Sequence, residues 1–336
     1  MGRDLGDAVS VLDLVCGHRG APDLLAHARA VIDPGLRAAV DALPSSTRHV
    51  AGYHLGWWDE HGQPRTADGG KGVRPALTLA AAAAVGADAV PAAVAIELAH
   101  NYTRLHDDIV DGDRARRGRP AAWAVFGRGA AMLAGDALLA LAYDVIAPDA
   151  AAVRLLTSAV TAYQDGQAAD LSFERRADVT LAEGLRTAER KTGALITAAV
   201  VLGAPGLRRF GERLGLAYQL VDDVLGIWGD PDVTGKPVYA DLDRRKKTLP
   251  VLAALASGTP AGRELAALYH APRALSAADV VRAAELVERA GGRAHCLRQA
   301  DDLLAAALED LRRADLPPRG YAELAGLAHH LVHRDR

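Results

Sequence analysis

Apolar positions recur along this chain at intervals of three and four residues. No sustained two-residue alternation appears, and no repeated βαβ pattern. Ala and Leu dominate, β-branched runs are short, and Gly or Pro breaks the pattern at Gly86, Pro91, Gly118-Arg119-Pro120, Pro205-Gly206, Gly258-Thr259-Pro260 and Pro317-Pro318. The spacing predicts helices over 22–42, 75–86, 91–111, 129–147, 150–170, 181–203, 206–228, 245–257, 276–290, 294–313 and 319–333. Residues 44–70, with Trp57-Trp58 and several Gly and His, read as the least regular part. No linker is long enough to mark a domain boundary, and no fixed period marks a repeat array. The expectation is one all-α domain of ten or more helices over 1–336, in which the N-terminal helical region 1–45 carries no recognised motif.

Composition narrows the function. A chain of 336 residues can bury a large core without disulfides or a structural metal. With 39 Lys+Arg against 42 Asp+Glu, the net charge of -3 speaks against a general nucleic-acid binder. Cys16 and Cys296 stand far apart and make no metal or disulfide framework, so a reducing cytoplasm is the expected compartment. Apolar stretches such as Pro75 to Val85 are cut before they reach membrane-spanning length, so no transmembrane segment is expected. Met1-Gly2-Arg3-Asp4 lacks the layout of a signal peptide.

Two acidic clusters carry the first chemistry. In His106-Asp107-Asp108-Ile109-Val110-Asp111, a helix puts Asp107 and Asp111 on one face, one turn apart. Like charges at that spacing repel, so they are either solvated or matched by cations. Gln219-Leu220-Val221-Asp222-Asp223 ends a second apolar run. A lone Asp-Asp pair is usually a solvated helix end. Here basic residues surround both pairs: Lys71 and Arg74 before the first, Arg116-Arg117 after it, Lys191 and Lys236 on either side of the second. Mg²⁺ takes oxygen ligands and holds phosphates against one or two carboxylates. Arg and Lys grip the remaining oxyanion charge. The residues alone point to a helical Mg²⁺-dependent enzyme acting on a diphosphate with an apolar tail.

The order of these residues resembles the trans-polyprenyl diphosphate synthase family, which includes farnesyl and geranylgeranyl diphosphate synthases. Gly69-Gly70-Lys71-Gly72-Val73-Arg74-Pro75 is similar to its GGKxxRP segment, and Glu97 to His100 to its ExxH. Asp107 to Pro120 is similar to DDxxDxxxxRRGxP. Gly166-Gln167 to Asp170-Leu171 resembles GQxxDL, Lys191-Thr192-Gly193 resembles KTG, and Tyr218 to Asp223 resembles FQxxDD. Gly235-Lys236-Pro237, Asp241-Leu242 and Lys246 to Pro250 resemble GKP…DLxxxKxTLP.

The resemblance implies the isoprenoid synthase fold and a head-to-tail condensation. Isopentenyl diphosphate would attack an allylic diphosphate to give a short all-trans prenyl diphosphate. Three Mg²⁺ ions would neutralise the leaving pyrophosphate. Asp107 and Asp111 would hold two of them and Asp222 the third, with Asp108 and Asp223 acting through hydrogen bonds and metal-bound water. Arg116, Lys191 and Lys236 would hold the allylic diphosphate, and Lys71, Arg74, His100 and Arg117 the isopentenyl diphosphate. Gln219 and Thr192 would steady the reacting tail. Lys246 is read equally as a ligand or as part of a solvated basic run, Asp170 as a buttress, and Trp57-Trp58 as packing. The family is mostly homodimeric, so a homodimer is expected.

Three positions depart from the pattern. Gly226 stands where a third Asp is usual, with Asp230 two turns after Asp223 as a possible substitute. Tyr218 replaces Phe. Arg104 breaks an apolar stretch, placed for an i,i+4 pair with Asp108 or for a partner subunit. The resemblance makes Tyr102 and Thr103 the floor of the tail pocket. At about 1.5 Å rise per residue, Tyr102 stands roughly 7–8 Å along the helix from Asp107, so its ring would stop growth early, at C15 or C20. DDIVD carries no two-residue insertion, which favours C20 over C15. The rivals are a terpene cyclase on the same fold, which would not need Lys71, Arg74, His100 and Arg117, and a non-catalytic subunit of a heteromeric synthase, which would lose more of its acids or cations.

Overall fold

The computed structural model describes residues 19–65, 69–230 and 238–334. The all-α expectation holds. In chain order the helices are α1 (Ala21–Asp41), α2 (Ser45–Leu55), α3 (Val73–Ala84), α4 (Val90–Val110), α5 (Ala122–Phe126), α6 (Arg128–Val145), α7 (Ala150–Phe173), α8 (Leu181–Ala188), α9 (Ala194–Gly203), α10 (Arg208–Trp228), α11 (Ala240–Asp243), α12 (Leu249–Ala256), α13 (Pro260–Tyr269), α14 (Ala277–Arg289), α15 (Gly292–Arg313) and α16 (Pro318–His333). No helix among the described residues is long and apolar enough to cross a membrane.

Four expectations need correction. Residues 45–55, read as irregular, form α2, which ends on Gly56 in the left-handed conformation at φ 85°. The helix expected over 245–257 begins only at Leu249, because Pro250 belongs to a first turn. Thr259-Pro260, read only as a break, starts α13: the Thr259 side chain accepts from the Gly262 N–H and Pro260 opens the helix. The run expected over 181–203 is interrupted by a wider π turn, Glu189–Gly193.

Contacts divide the chain into two compact units: Met1–Ser158 with Ala198–Arg208 and Asp315–Leu327, and Ala159–Thr197 with Arg209–Ala314 and Ala328–Arg336. In the first unit α4 is the central helix, packed on α1, α3, α5 and α6. Leu77, Ile96, Leu98, Leu105 and Leu138 are fully enclosed there. At roughly 1.5–3 kcal/mol per buried side chain, this packing holds α4 in place against the cost of its polar residues. In the second unit Ile227, Leu242, Val251, Leu265, Val280, Leu286 and Val287 form one cluster. Capping boxes at Thr180/Glu183 and Ser276/Asp279 start α8 and α14.

Candidate active site

In the first unit, α4 is apolar enough to be enclosed on most sides yet carries Glu97, Asn101, Asp107 and Asp108 inside, with Asp111 as the cap that follows its last residue. The negative end of the helix adds to the carboxylates, so the site attracts cations. The protein's own arginines answer it. Arg104 Nη2 pairs with Asp107 Oδ2 at 2.9 Å, three residues on. Of the two placements left open for Arg104, the pair with Asp108 gives way to this one with Asp107. Arg116 Nε donates to Asp108 Oδ1 at 2.9 Å, its Nη2 reaches the same oxygen, and Asp113 lies 3.6 Å from Nη2. Burial pushes the Asp108 carboxyl up, and Arg116 opposes that shift.

The Arg-Arg-Gly segment has a local reason. Ala115–Arg116 and Arg119–Pro120 pair as a two-residue antiparallel hairpin. Its loop, Arg117-Gly118, has φ of 52° and 70°, the positive values that the type I′ hairpin turn requires at both positions. That turn sends Arg117 to Gly70 (φ 109°), where a Cβ would lie 2.6 Å from its Nη2. The next glycine, Gly72, is left-handed at φ 67° and caps α3. Arg29 of α1 donates to the carbonyls of Gly70 and Lys71 at 3.4 Å each, so the turn that presents exposed Lys71 is tied from behind.

From α3, Arg74 Nη1 meets His100 Nε2 at 3.1 Å. Arginine only donates, so Nε2 must accept and the imidazole proton sits on Nδ1. Burial holds His100 well below the usual histidine range, with Arg74, Arg104 and Arg117 adding to the effect. His100 is neutral, and the net charge of this corner comes from the arginines. Behind it, His54 Nε2 lies 3.1 Å from Asn101 Oδ1, and the Asn101 amide donates to the Glu97 carbonyl at 2.9 Å and to its carboxylate at 3.2 Å. His54 and Asn101 escaped the sequence reading. The legible signal was Glu97 and Asn101, two polar residues one turn apart in an apolar helix. Thr103 bonds back to the His100 carbonyl at 2.8 Å, and both Tyr102 and Thr103 are buried.

In the second unit, two glycines explain how Lys191 is placed. A Cβ at Gly166 of α7 would lie 2.6 Å from the Lys191 nitrogen, and one at Gly215 of α10 would lie 2.7 Å from Gly193 Cα. The π turn is gripped from both sides, which no larger residue would permit. Lys191 Nζ then reaches Asp170 Oδ2 at 2.6 Å. Thr192 lies in the same turn.

On α10, Asp223 accepts from Gln219 Nε2 at 2.5 Å and from the Leu249 N–H at 2.8 Å, so it ties α10 to the first turn of α12. Enclosure raises its carboxyl to about 7, helped by Asp241 and Asp222 and opposed by those two hydrogen bonds. Asp222 is more than half exposed and pairs with Arg334 at 2.9 Å. At Gly226 a Cβ would collide with the Asp241 carboxylate. Asp230 lies beyond the end of α10 at Trp228, and Asp241 stands beside Gly226. Of the basic run, Arg245 bonds the Ala271 carbonyl at 2.9 Å and Lys247 bonds the Phe173 carbonyl, while Lys246 is partly exposed. Lys236 lies outside the described residues. Trp58 packs on Gly52 and donates to the His49 carbonyl at 2.8 Å, as expected of packing.

The donor set suits Mg²⁺. Asp108 Oδ2 is buried and meets no hydrogen-bond partner beside Asp107, an orphaned acceptor for a cation or its water. Among the described residues no three His, Cys, Asp or Glu side chains gather as a closed cage. Mg²⁺ keeps several waters and substrate phosphates as ligands and needs no such cage.

A family model for polyprenyl synthetase matches residues 57–287. A (2E,6E)-farnesyl diphosphate synthase from Mycobacterium bovis is 46% identical over 332 residues, 93% of this chain and 92% of its own length. A geranylgeranyl diphosphate synthase from Mycobacterium tuberculosis is 46% identical over 314 residues, 88% and 90% respectively. The crystal structure of a polyprenyl synthetase from Streptomyces coelicolor A3(2) superposes with a TM-score of 0.88 at 42% identity, covering 93% of this chain and 99% of that one. A polyprenyl synthase from Caulobacter crescentus, complexed with calcium and isoprenyl diphosphate, gives 0.82 at 30% identity over 94% and 99%.

Proposed function

The chain belongs to the polyprenyl synthetase family and is a trans-prenyltransferase that makes short-chain prenyl diphosphates, and from that premise we propose a Mg²⁺-dependent geranylgeranyl-type synthase. The reaction joins isopentenyl diphosphate to an allylic diphosphate. The allylic carbon–oxygen bond breaks, the isopentenyl double bond attacks the carbon left electron-poor, and a proton leaves the new chain for the departing pyrophosphate. When bound, Mg²⁺ supplies Lewis-acid neutralisation of that pyrophosphate. Asp107, Asp111 and Asp222 are the residues that would hold it, with Asp108 and Asp223 behind them. Arg116, Lys191 and Lys236 bind the allylic diphosphate, and Gln219 and Thr192 orient its tail. Lys71, Arg74, His100 and Arg117 bind the acceptor. The rest of the work is positioning and exclusion of water.

The observation that carries this reading is the corner formed by Arg74, His100 and Arg117 around the Gly70–Gly72 turn. It supplies charge for a second diphosphate, which a cyclase would not use. Buried Tyr102 as the pocket floor supports a short product, and the unexpanded DDIVD segment favours C20 over C15. A homodimer suits exposed Met132 and Leu133 on α6. The test is incubation with Mg²⁺, isopentenyl diphosphate and dimethylallyl, geranyl or farnesyl diphosphate in turn, followed by mass spectrometry of the dephosphorylated products. A linear C20 alcohol that requires isopentenyl diphosphate is expected. A cyclic hydrocarbon formed without it overturns the proposal.

A further inference from the structure

Tyr102 does not stand alone on α4. One turn later the His106 ring lies against it, centroid to centroid 4.5 Å and tilted by 56°. His106 is itself held from α6. Its Nε2 faces two acceptors, the Met132 carbonyl at 3.3 Å and Asp136 Oδ1 at 3.2 Å, so that nitrogen donates. The Cδ2–Nε2 edge of the ring rests on the backbone at Gly135. A Cβ there would stand 2.6 Å from His106 Cδ2 and 2.7 Å from Nε2. The layers run in order from Gly135 to the His106 ring to the Tyr102 ring, and α4 and α6 form the most extensive helix pair of this unit.

We infer that His106 and Gly135 are positioning residues that set product length by fixing the Tyr102 ring. The inference rests on the reading of Tyr102 as the floor of the tail pocket. Packed interiors transmit a displacement of one ring to the next because there is no free volume to absorb it. Removing the imidazole leaves space behind Tyr102, and its ring can withdraw from the tail. Adding a methyl group at position 135 does the reverse. It drives the imidazole onto Tyr102 and the tyrosine toward the tail. The two changes therefore act on length in opposite directions, an outcome that general loss of stability does not produce.

The experiment measures product distribution by mass spectrometry for full-length wild type, His106→Ala, Gly135→Ala, the double variant and Tyr102→Ala. The ratio of products is read per turnover and does not depend on how much enzyme is folded. His106→Ala is expected to lengthen the main product by one five-carbon unit, and Gly135→Ala to shift it one unit shorter. The double variant should follow His106→Ala, since the added methyl meets no ring. If His106→Ala is inactive, Gly135→Ala decides the matter alone, because it touches none of the ligand residues. Wild-type distributions from both single variants, or shifts in the same direction, overturn the inference while a lengthened product from Tyr102→Ala keeps the floor reading. An unchanged product from Tyr102→Ala removes the floor reading itself.

Discussion

At the end of α4 both aspartates of the pair are buried, and each is met by a guanidinium: Asp107 by Arg104, Asp108 by Arg116. At the end of α10 the same dipeptide is divided. Asp222 is largely exposed with Arg334 beside it, and half-buried Asp223 meets no cation among the described residues and accepts a backbone N–H and an amide instead. The difference shows in the carboxyls. Burial raises both Asp108 and Asp223, but Arg116 counters the first, whereas Asp241 and Asp222 push the second further, to about 7. An identical Asp-Asp motif can thus be an ion-paired cluster in one place and, in another, a strut whose carboxyl is only partly ionised near pH 7. The neighbours decide which.

Breaking the Arg116–Asp108 pair should have the largest effect. Arg116→Ala strands a carboxylate that is 2% exposed. Removing one partner of a buried pair costs about 3–5 kcal/mol. Without Arg116 the Asp108 carboxyl rises further, and an acid whose folded value is raised loses stability as pH climbs through that value. The loss measured by denaturant unfolding in metal-free buffer should therefore be greatest near pH 8 and smaller near pH 5. Equal losses at both would show that Asp108 does not depend on its arginine.

The strut is sharpened by Asp223→Asn. The raised acid stabilises the folded chain fully below its unfolded value of 3.8, and that contribution is lost as pH rises to about 7. Across that window stability falls by at most about 1.4 kcal/mol per pH unit. The asparagine variant should remove that slope. Its single acceptor can take the Leu249 N–H while Gln219 turns its amide over. A pH–stability curve parallel to that of the wild type would mean that Asp223 is ionised throughout.

Which half of this contrast could be read beforehand follows from sequence separation. The apolar period and the Gly and Pro breaks located most helices to within a few residues, and Asp107, Asp108 and Arg116 are close enough in sequence to be linked. The strut joins Gln219 and Asp223 to Leu249, which is 26 residues away. It depends on where α12 begins, which the position of Pro250 held and which reading a helix from 245 obscured. Asp241 beside Gly226 and Asp170 against Lys191 are likewise tertiary approaches, permitted by glycines at 226, 166 and 215 whose role appears only once the backbones meet. His54 was hidden because α2 has too few apolar residues in period to stand out from a loop.

The smallest effect is expected where the contact looks most complete. Arg334 is 7% exposed in its side chain, pairs with Asp222 at 2.9 Å, and stacks 3.7 Å above the Tyr218 ring. Asp222 is 57% exposed, so water already solvates its charge. An exposed pair contributes about 0–1 kcal/mol and a cation over an aromatic ring about 0.5–1. Arg334→Ala should therefore cost about 0.5–2 kcal/mol, against the larger loss for Arg116→Ala measured in the same buffer. Salt separates the two parts. At an ionic strength of about 1 M the screening length falls to about 3 Å, which weakens the ion pair and leaves the stacking. The part of the Arg334→Ala loss that disappears in salt is then the share carried by Asp222. A loss as large as that of Arg116→Ala, and insensitive to salt, would mean that Asp222 is not solvated and that the contrast between the two helix ends is wrong.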